Sequence, residues 1–318
     1  FSMGATTRNA GFACFGSATE IWSDKQILGK EQTLALIEKR WKGIQSLTHR
    51  FAPQEINYEN FGGYELILDK EINADFLNNL NQFLNPIFDS SIFEFRNAQI
   101  NEFQFGKNVK QLLYNPLEGQ IHSGKLLFSL LKLAQAKGIF YFSNSEITQW
   151  ADGETISIEI NHKQSLNTNH LIFCTNAFPP KGVSSIKPGR GQVLVTHEIP
   201  NLPFKGCFHF DEGFYYFRNI GNRVLFGGGR NIDIVGETST EFALHDIIQR
   251  NLIHKLREFI LPYFDFDIDM QWSGIMAFSE TKLPTEIKLD KNIIYSMNCN
   301  GMGVSLSPIT AKEIAGKF

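Results

Sequence analysis

Apolar residues recur at three- and four-residue steps from Glu31 to Phe51 (Leu34, Ile37, Trp41, Ile44, Leu47), the stripe of one helical face. Asn73 to Leu84 repeats the pattern with Phe76, Leu77, Leu80 and Phe83, and Pro86 predicts the helix's end before it. Leu126 to Lys137 is a third such stripe, with Gly138 where a helix C-terminus favours a left-handed residue. The apolar run Ile139–Phe142 predicts a short buried strand, and a helix, a glycine and a strand in succession make half of a βαβ crossover. The pattern then alternates. Strands are expected at Ile147–Trp150, Thr155–Ile160 and His170–Cys174, separated by turns at Ala151–Gly153 and by the polar stretch Lys163–Asn169. More follow at Gly191–His197, Phe214–Arg218, Arg223–Phe226, Asp269–Met276 and Asn292–Ser296. Glu241–Ile260 reads as a helix closed by Pro262, and Ser305–Ala315 as a last helix after the loop Asn298–Gly303. The expected class is mixed α/β with a substantial antiparallel sheet.

Composition narrows the function classes. The 318 residues are 42% hydrophobic and 20% charged, ordinary for a globular chain of one large or two interleaved domains. A formal net charge of −3 leaves no basic surplus to neutralise phosphates, so no nucleic-acid partner is expected. No apolar run is long enough for a membrane-spanning helix, and Phe1-Ser2-Met3-Gly4 does not open a signal peptide. The four cysteines (Cys14, Cys174, Cys207, Cys299) form no CxxC pair, which suits a reducing, cytoplasmic setting. The 29 phenylalanines read as core. The eight histidines show no metal-ligand spacing, so no metal site is expected.

Two glycine clusters carry candidate chemistry. Gly227-Gly228-Gly229 follows an apolar strand but opens no helix, so a close backbone approach or tight bend explains it as well as a phosphate cradle does. Asn300-Gly301-Met302-Gly303-Val304-Ser305 lies between a strand and a helix, where converging N–H groups suit an anionic or carbonyl-bearing ligand. No GxGxxG, Walker A, HExxH or GxSxG motif occurs, which excludes P-loop, zinc-protease and serine-hydrolase chemistry.

Several segments, in order, resemble a known family. Gly4-Ala5-Thr6-Thr7-Arg8-Asn9-Ala10-Gly11-Phe12, Glu118–Leu126, Leu171–Phe178, Gly189-Arg190-Gly191-Gln192, Tyr216-Phe217-Arg218, Arg223–Gly228, Trp272-Ser273-Gly274 and Asn300–Val304 resemble motifs of the FAD-dependent D-amino-acid oxidase superfamily, in its glycine, sarcosine and γ-glutamylputrescine oxidase group. The resemblance implies an FAD-binding Rossmann-type region (1–20, 116–190, 285–318) interleaved with an antiparallel-sheet substrate region (21–115, 191–284). It implies an oxidase or dehydrogenase of an amine or amino acid with non-covalent FAD, because Met276-Ala277 stands where flavin-attaching members carry a cysteine. The family's N-terminal strand–GxGxxG–helix unit has no counterpart here, and the chain is expected to lack it. The arginine pair of the glycine oxidase type is replaced by Ile275-Met276-Ala277 and Cys299-Asn300, which favours an amine or a differently held acid.

By the same resemblance, Thr7, Arg8, Asn9, Ala10 and Gly11 lie beside the flavin. Gly301, Met302, Gly303, Val304 and Ser305 face its pyrimidine edge, and Ile147, Thr175 and Asn176 lie on the adenosine side. Tyr216 and Arg218 alternate onto one strand face with Phe217 opposite, and the family borders its substrate cavity with that strand. Arg218 is then the candidate carboxylate contact, with a surface salt bridge as the other reading; Trp272 is core or cavity wall. Two alternatives stay open: an FAD-dependent dehydrogenase of a 2-hydroxy acid or glycerol phosphate, and a binding protein without flavin.

Overall fold

The computed structural model describes residues 4–69, 71–296 and 299–317; Phe1–Met3 and Asn298, part of two segments read above, lie outside them. In chain order, helix α1 (Ala5–Arg8) and strand β1 (Phe12–Ala13) precede helices α2 (Ala18–Leu28), α3 (Lys30–Arg50) and α4 (Pro53–Ile56). Next come β2 (Gly63–Ile67), α5 (Ala74–Phe88), β3 (Glu94–Phe95), α6 (Ala98–Glu102), β4 (Gln111–Asn115), β5 (Gly119–Gln120) and α7 (Ser123–Ala136). Strands β6 (Ile147–Ala151), β7 (Ile156–Ile160), β8 (Gln164–Thr168), β9 (Leu171–Phe173), β10 (Lys187–Thr196), β11 (Cys207–Phe210), β12 (Tyr215–Ile220) and β13 (Arg223–Gly228) follow. Then come α8 (Asp246–Lys255), β14 (Ile268–Phe278), β15 (Ile287–Asp290), β16 (Ile293–Tyr295) and α9 (Gly303–Ala315).

Among the described residues an eight-stranded sheet runs in the order β14-β10-β13-β12-β11-β2-β4-β3, antiparallel except where β2 pairs with β11. Alternation along its strands sends Phe208, Phe210, Phe217 and Phe226 to one face, where they pack with Phe204, Leu252, Leu256 and Phe259 under α8. Phe208 and Phe217 stack at 4.6 Å between centroids, so part of the phenylalanine excess does fill core. The opposite face is covered by the N-terminal segment, and beyond it α2, α3 and α5 bury Phe15, Ile21, Ile37 and Leu80. Smaller sheets, β15-β16-β9 and β6-β7-β8, adjoin the β14 end through Ile275 and Ala277. Helix α3 packs along α9 at Gly43, where any Cβ would collide with the Ser305 carbonyl.

Four expectations change. Ile139–Phe142 is not a strand, and its side chains are exposed, Phe140 to 84%, because no described strand pairs with it. The polar stretch before β9 forms β8, since backbone pairing with β7 needs no apolar side chains. Helix α5 runs through Pro86 to Phe88; in the last turn the missing N–H costs one bond, while Ile87 and Phe88 pack against the core. The 241–260 helix starts only at Asp246, and its last turn, Leu256–Ile260, widens to a π-helix. The residues before Asp246 are held instead by β10, through Ala243 and Glu241 carbonyls.

Candidate active site

On the face of the large sheet that meets the N-terminal segment, four strand positions carry no side chain of their own and are covered by those of their neighbours. Gly189, Gly191, Gly227 and Gly274 fall on this face, with Gly191 paired to Gly274 and Gly227 to Val193. Phe278 covers Gly189, where an added Cβ would come within 2.3 Å of its ring, and Arg8 lies 3.3 Å from the Cβ position of Gly274. The Tyr216 ring lies over Gly227, where an added Cβ would come within 2.7 Å of it. A Cβ on Gly191 would come within 2.8 Å of the Met276 methyl and 3.8 Å of the Tyr216 hydroxyl. Trp272 is half-buried and donates its indole N–H to the Arg8 carbonyl at 3.0 Å. It is therefore both packed against Val193 and Leu225 and part of the wall.

The N-terminal motif is built to cross this patch. Asn9 donates to the carbonyls of Ala5 (2.8 Å) and Thr6 (2.9 Å), closing α1, and accepts from the Gly11 N–H (2.8 Å) and the Ser123 hydroxyl (2.6 Å). Arg8 donates to the Ser273 carbonyl at 3.0 Å and stacks over Phe242 at 4.7 Å. Gly11 has φ +74°, and a Cβ there would sit 2.3 Å from the Ile121 carbonyl, so glycine is required. Ala10 is buried beside Val193, Val195 and Leu225, while Thr7 sits inside α1. The C-terminal glycine loop reaches the same strand two residues on. A Cβ on Gly301 would lie 3.3 Å from the Met276 sulfur, and Arg8 meets β14 at Gly274. Cys14 and Met302 sulfurs are 4.0 Å apart, joining the two segments. Ser305 caps into the Met302 carbonyl at 3.2 Å, and Val304 packs inward. The N–H groups of Gly303, Val304 and Ser305 open α9 without a described acceptor.

Sequence alternation placed Tyr216 and Arg218 on one face and Phe217 on the other, and the structure does the same. Neither polar group has a hydrogen-bond partner among the described residues. Burial pushes the Tyr216 phenol up to about 12, so it stays protonated at neutral pH. Arg218 is only 8% exposed, which excludes the surface salt bridge, and its Nε is buried without an acceptor. His209, cross-strand from Tyr216, completes an unpartnered row: Phe12 packs edge-on against both rings, and burial lowers the imidazole to about 4. Thr175 and Asn176 brace the turn after β9, Asn176 donating to the Ile275 carbonyl at 3.1 Å and accepting from the Tyr295 hydroxyl at 2.5 Å. Ile147 starts β6 and belongs to neither the glycine patch nor its walls. Surface clefts at Asn78–Ser91 and around Leu68–Phe259 contain none of these groups.

The sequence reading quoted Gly191, Gly274, Arg190 and Ser123 within its motifs and read Gly227 as a close backbone approach, but gave none of them a place in the site, and it did not single out His209 or Glu237. The glycines had a signal, two of them at i and i+2 in one strand; the buried partners of Arg190 lie far along the chain and had none.

The family model described as FAD dependent oxidoreductase (DAO) matches residues 1–317. Gamma-glutamylputrescine oxidoreductase of Escherichia coli (strain K12) is 23% identical over 212 residues, 62% of this chain and 47% of that protein, so the matched region spans about half of that relative. Glycine oxidase from Geobacillus kaustophilus superposes with a TM-score of 0.77 at 19% identity, over 98% of this chain and 84% of its own. L-proline dehydrogenase from P. horikoshii gives 0.77 at 14% identity, over 99% and 84%. At these identities the two structures show a shared fold.

Proposed function

Because the chain belongs to the DAO family of FAD dependent oxidoreductases, we propose that it is the catalytic part of an enzyme oxidising the C–N bond of a small amine or amino acid, with FAD supplying the hydride acceptor. The observation that carries this reading is the glycine patch under an unpartnered tyrosine hydroxyl, set between the N-terminal motif and the opening turn of α9. A flat ring can approach a backbone closely only where side chains are missing. The free N–H groups of Gly303–Ser305 at the positive end of α9 suit an electron-rich ring edge. These residues fit the ring side of a flavin. Thr7–Gly11 would line it through backbone and small side chains, and Ile147, Thr175 and Asn176 are proposed for the adenosine side. The pyrophosphate is another matter, since the described residues contain no strand–GxGxxG–helix turn. The division into a flavin side (1–20, 116–190, 285–318) and a substrate side (21–115, 191–284) goes with this reading.

The relatives support an amine or amino-acid substrate through their names, which specify gamma-glutamylputrescine, glycine and L-proline. The chain's own residues would position and dry the substrate: Tyr216 orients it by hydrogen bonding, and Trp272, Phe12 and Met276 exclude water. No helix of the described residues is long and apolar enough to cross a membrane, and the free cysteines support a cytoplasmic setting. The test is anaerobic mixing of the FAD-saturated protein with amines, amino acids, 2-hydroxy acids and glycerol phosphate, following loss of the oxidised flavin band. Amines should bleach it, faster as pH rises and the ammonium deprotonates, because a positive nitrogen opposes hydride loss. Bleaching by the hydroxy compounds alone would overturn the reading.

A further inference from the structure

Lys282 lies in the turn between β14 and β15 and reaches across to α2. Its ammonium donates to Asp24 Oδ1 at 2.5 Å and lies 3.7 Å from Glu20. Asp24 is 2% exposed and Glu20 stands one helical turn before it, so two carboxylates crowd one face of α2. Arg40 of α3 meets Glu20 at 3.5 Å, while among the described residues Asp24 pairs with Lys282 alone. The Lys282 backbone has φ +56°, which side chains rarely adopt, so its surroundings hold the turn there.

The other side of the turn is fastened to the C-terminal glycine loop. Ser279 donates its N–H to Asn300 Oδ1 at 2.7 Å, and its hydroxyl accepts from Asn300 Nδ2 at 3.2 Å. Leu283, next to Lys282, packs with Met302 against Leu36, Cys299 and Leu306. At its start α2 is joined to the N-terminal motif by residues 14–17, and the Cys14 and Met302 sulfurs are 4.0 Å apart. One ion pair therefore ties together the two segments that meet β14 at Gly274 and Met276. Without the ammonium, Asp24 and Glu20 would share a single guanidinium in a nearly dry place, which favours parting of helix and turn.

We propose that Lys282 is a positioning residue: its pair with Asp24 clasps α2 to the β14–β15 turn and so fixes the spacing between the N-terminal motif and the glycine loop Asn300–Gly303. The consequence for a flavin ring rests on the reading above, in which the ring is lined by those two segments. A clasp that sets their spacing then sets how well the ring is held.

Thiol alkylation of the 318-residue chain, followed cysteine by cysteine by mass spectrometry, tests the clasp without cofactor. Cys14 and Cys299 are buried at the clasped junction, whereas Cys207 is buried in β11 of the large sheet. Lys282→Met should speed alkylation of Cys14 and Cys299 at least about fivefold and leave Cys207 as in wild type, the mark of a local opening. Asp24→Asn should do the same, and the double variant should be less than about twofold faster than either, because both remove one pair. Lys282→Arg, which keeps the charge, should stay within about twofold of wild type. Unchanged rates at Cys14 and Cys299, equal acceleration of Cys207, multiplying effects in the double variant, or Lys282→Arg as fast as Lys282→Met would overturn the clasp. Lumiflavin, the bare ring, should then bind Lys282→Met at least about fivefold more weakly than wild type and Lys282→Arg about as wild type does. Equal binding by Lys282→Met would overturn the positioning role. If wild type binds no lumiflavin while the thiols respond as expected, the clasp stands and the flavin reading falls.

Discussion

Asn9 and Glu118 are polar residues whose work is to hold backbone in place beside the site. Asn9 joins α1, Gly11 and Ser123 through four hydrogen bonds. Glu118 accepts from the Phe15 N–H at 2.8 Å and the Gly16 N–H at 3.2 Å, fixing the chain just after β1. Burial pushes the Glu118 carboxyl up to about 7, and Glu65, bonded to Ser17 and Thr19, likewise to about 7. From the ordinary 4.5 up to about 7 the folded state therefore keeps protons that the unfolded chain has released, and stability falls as pH rises through that window. His209, lowered from 6.5 to about 4, has the opposite slope below 6.5, so the carboxyl effect is cleanest near neutrality. Glu118→Gln keeps an acceptor for both N–H groups and removes the titration. Its denaturation midpoint should fall less than that of wild type across the window; an unchanged slope would show that Glu118 does not titrate there.

At the scale of elements, the segment between β13 and α8 is held by a buried ion pair. Arg190 on β10 donates from Nε (3.0 Å) and Nη2 (2.7 Å) to Glu237, which also accepts from Gln192 at 2.9 Å. The same segment carries Phe242 onto the Arg8 guanidinium, so a pair on one face of the sheet steadies the motif on the other. Glu237→Gln leaves Arg190 buried without its charge partner and should cost about 3–5 kcal/mol. Urea denaturation measures that loss, and limited proteolysis should find new cleavage between Arg230 and Leu244. A loss under about 1 kcal/mol would mean that the surrounding carbonyls hold Arg190 unaided. The helices α3, α7 and α9 were legible from the sequence within two or three residues at each end, because their stripes continue for several turns. Strand β2 was not, because all five of its residues are buried and no alternation survives in it.

For the whole molecule, the N-terminal motif, the strand glycines and the opening of α9 come together on one side of the sheet, while a pyrophosphate-holding turn is not among the described residues. The 318-residue chain should therefore bind FAD weakly by titration, and acid precipitation should leave the bound colour in the supernatant. Colour in the pellet would show a covalent bond, against Met276 standing at the expected attachment region. The sequence by itself determined the mixed class, the family and the facing of Tyr216 and Arg218, since periodicity and ordered motifs are local properties of a chain. Only the tertiary structure decided that Gly191, Gly227 and Gly274 form one patch, that Arg8 and Gly301 meet β14 two residues apart, and that Arg218 is buried without a partner. Those are facts of strand register and of what packs across it, and residues separated by 265 positions, as Arg8 and Ser273 are, carry no local sign that they will touch.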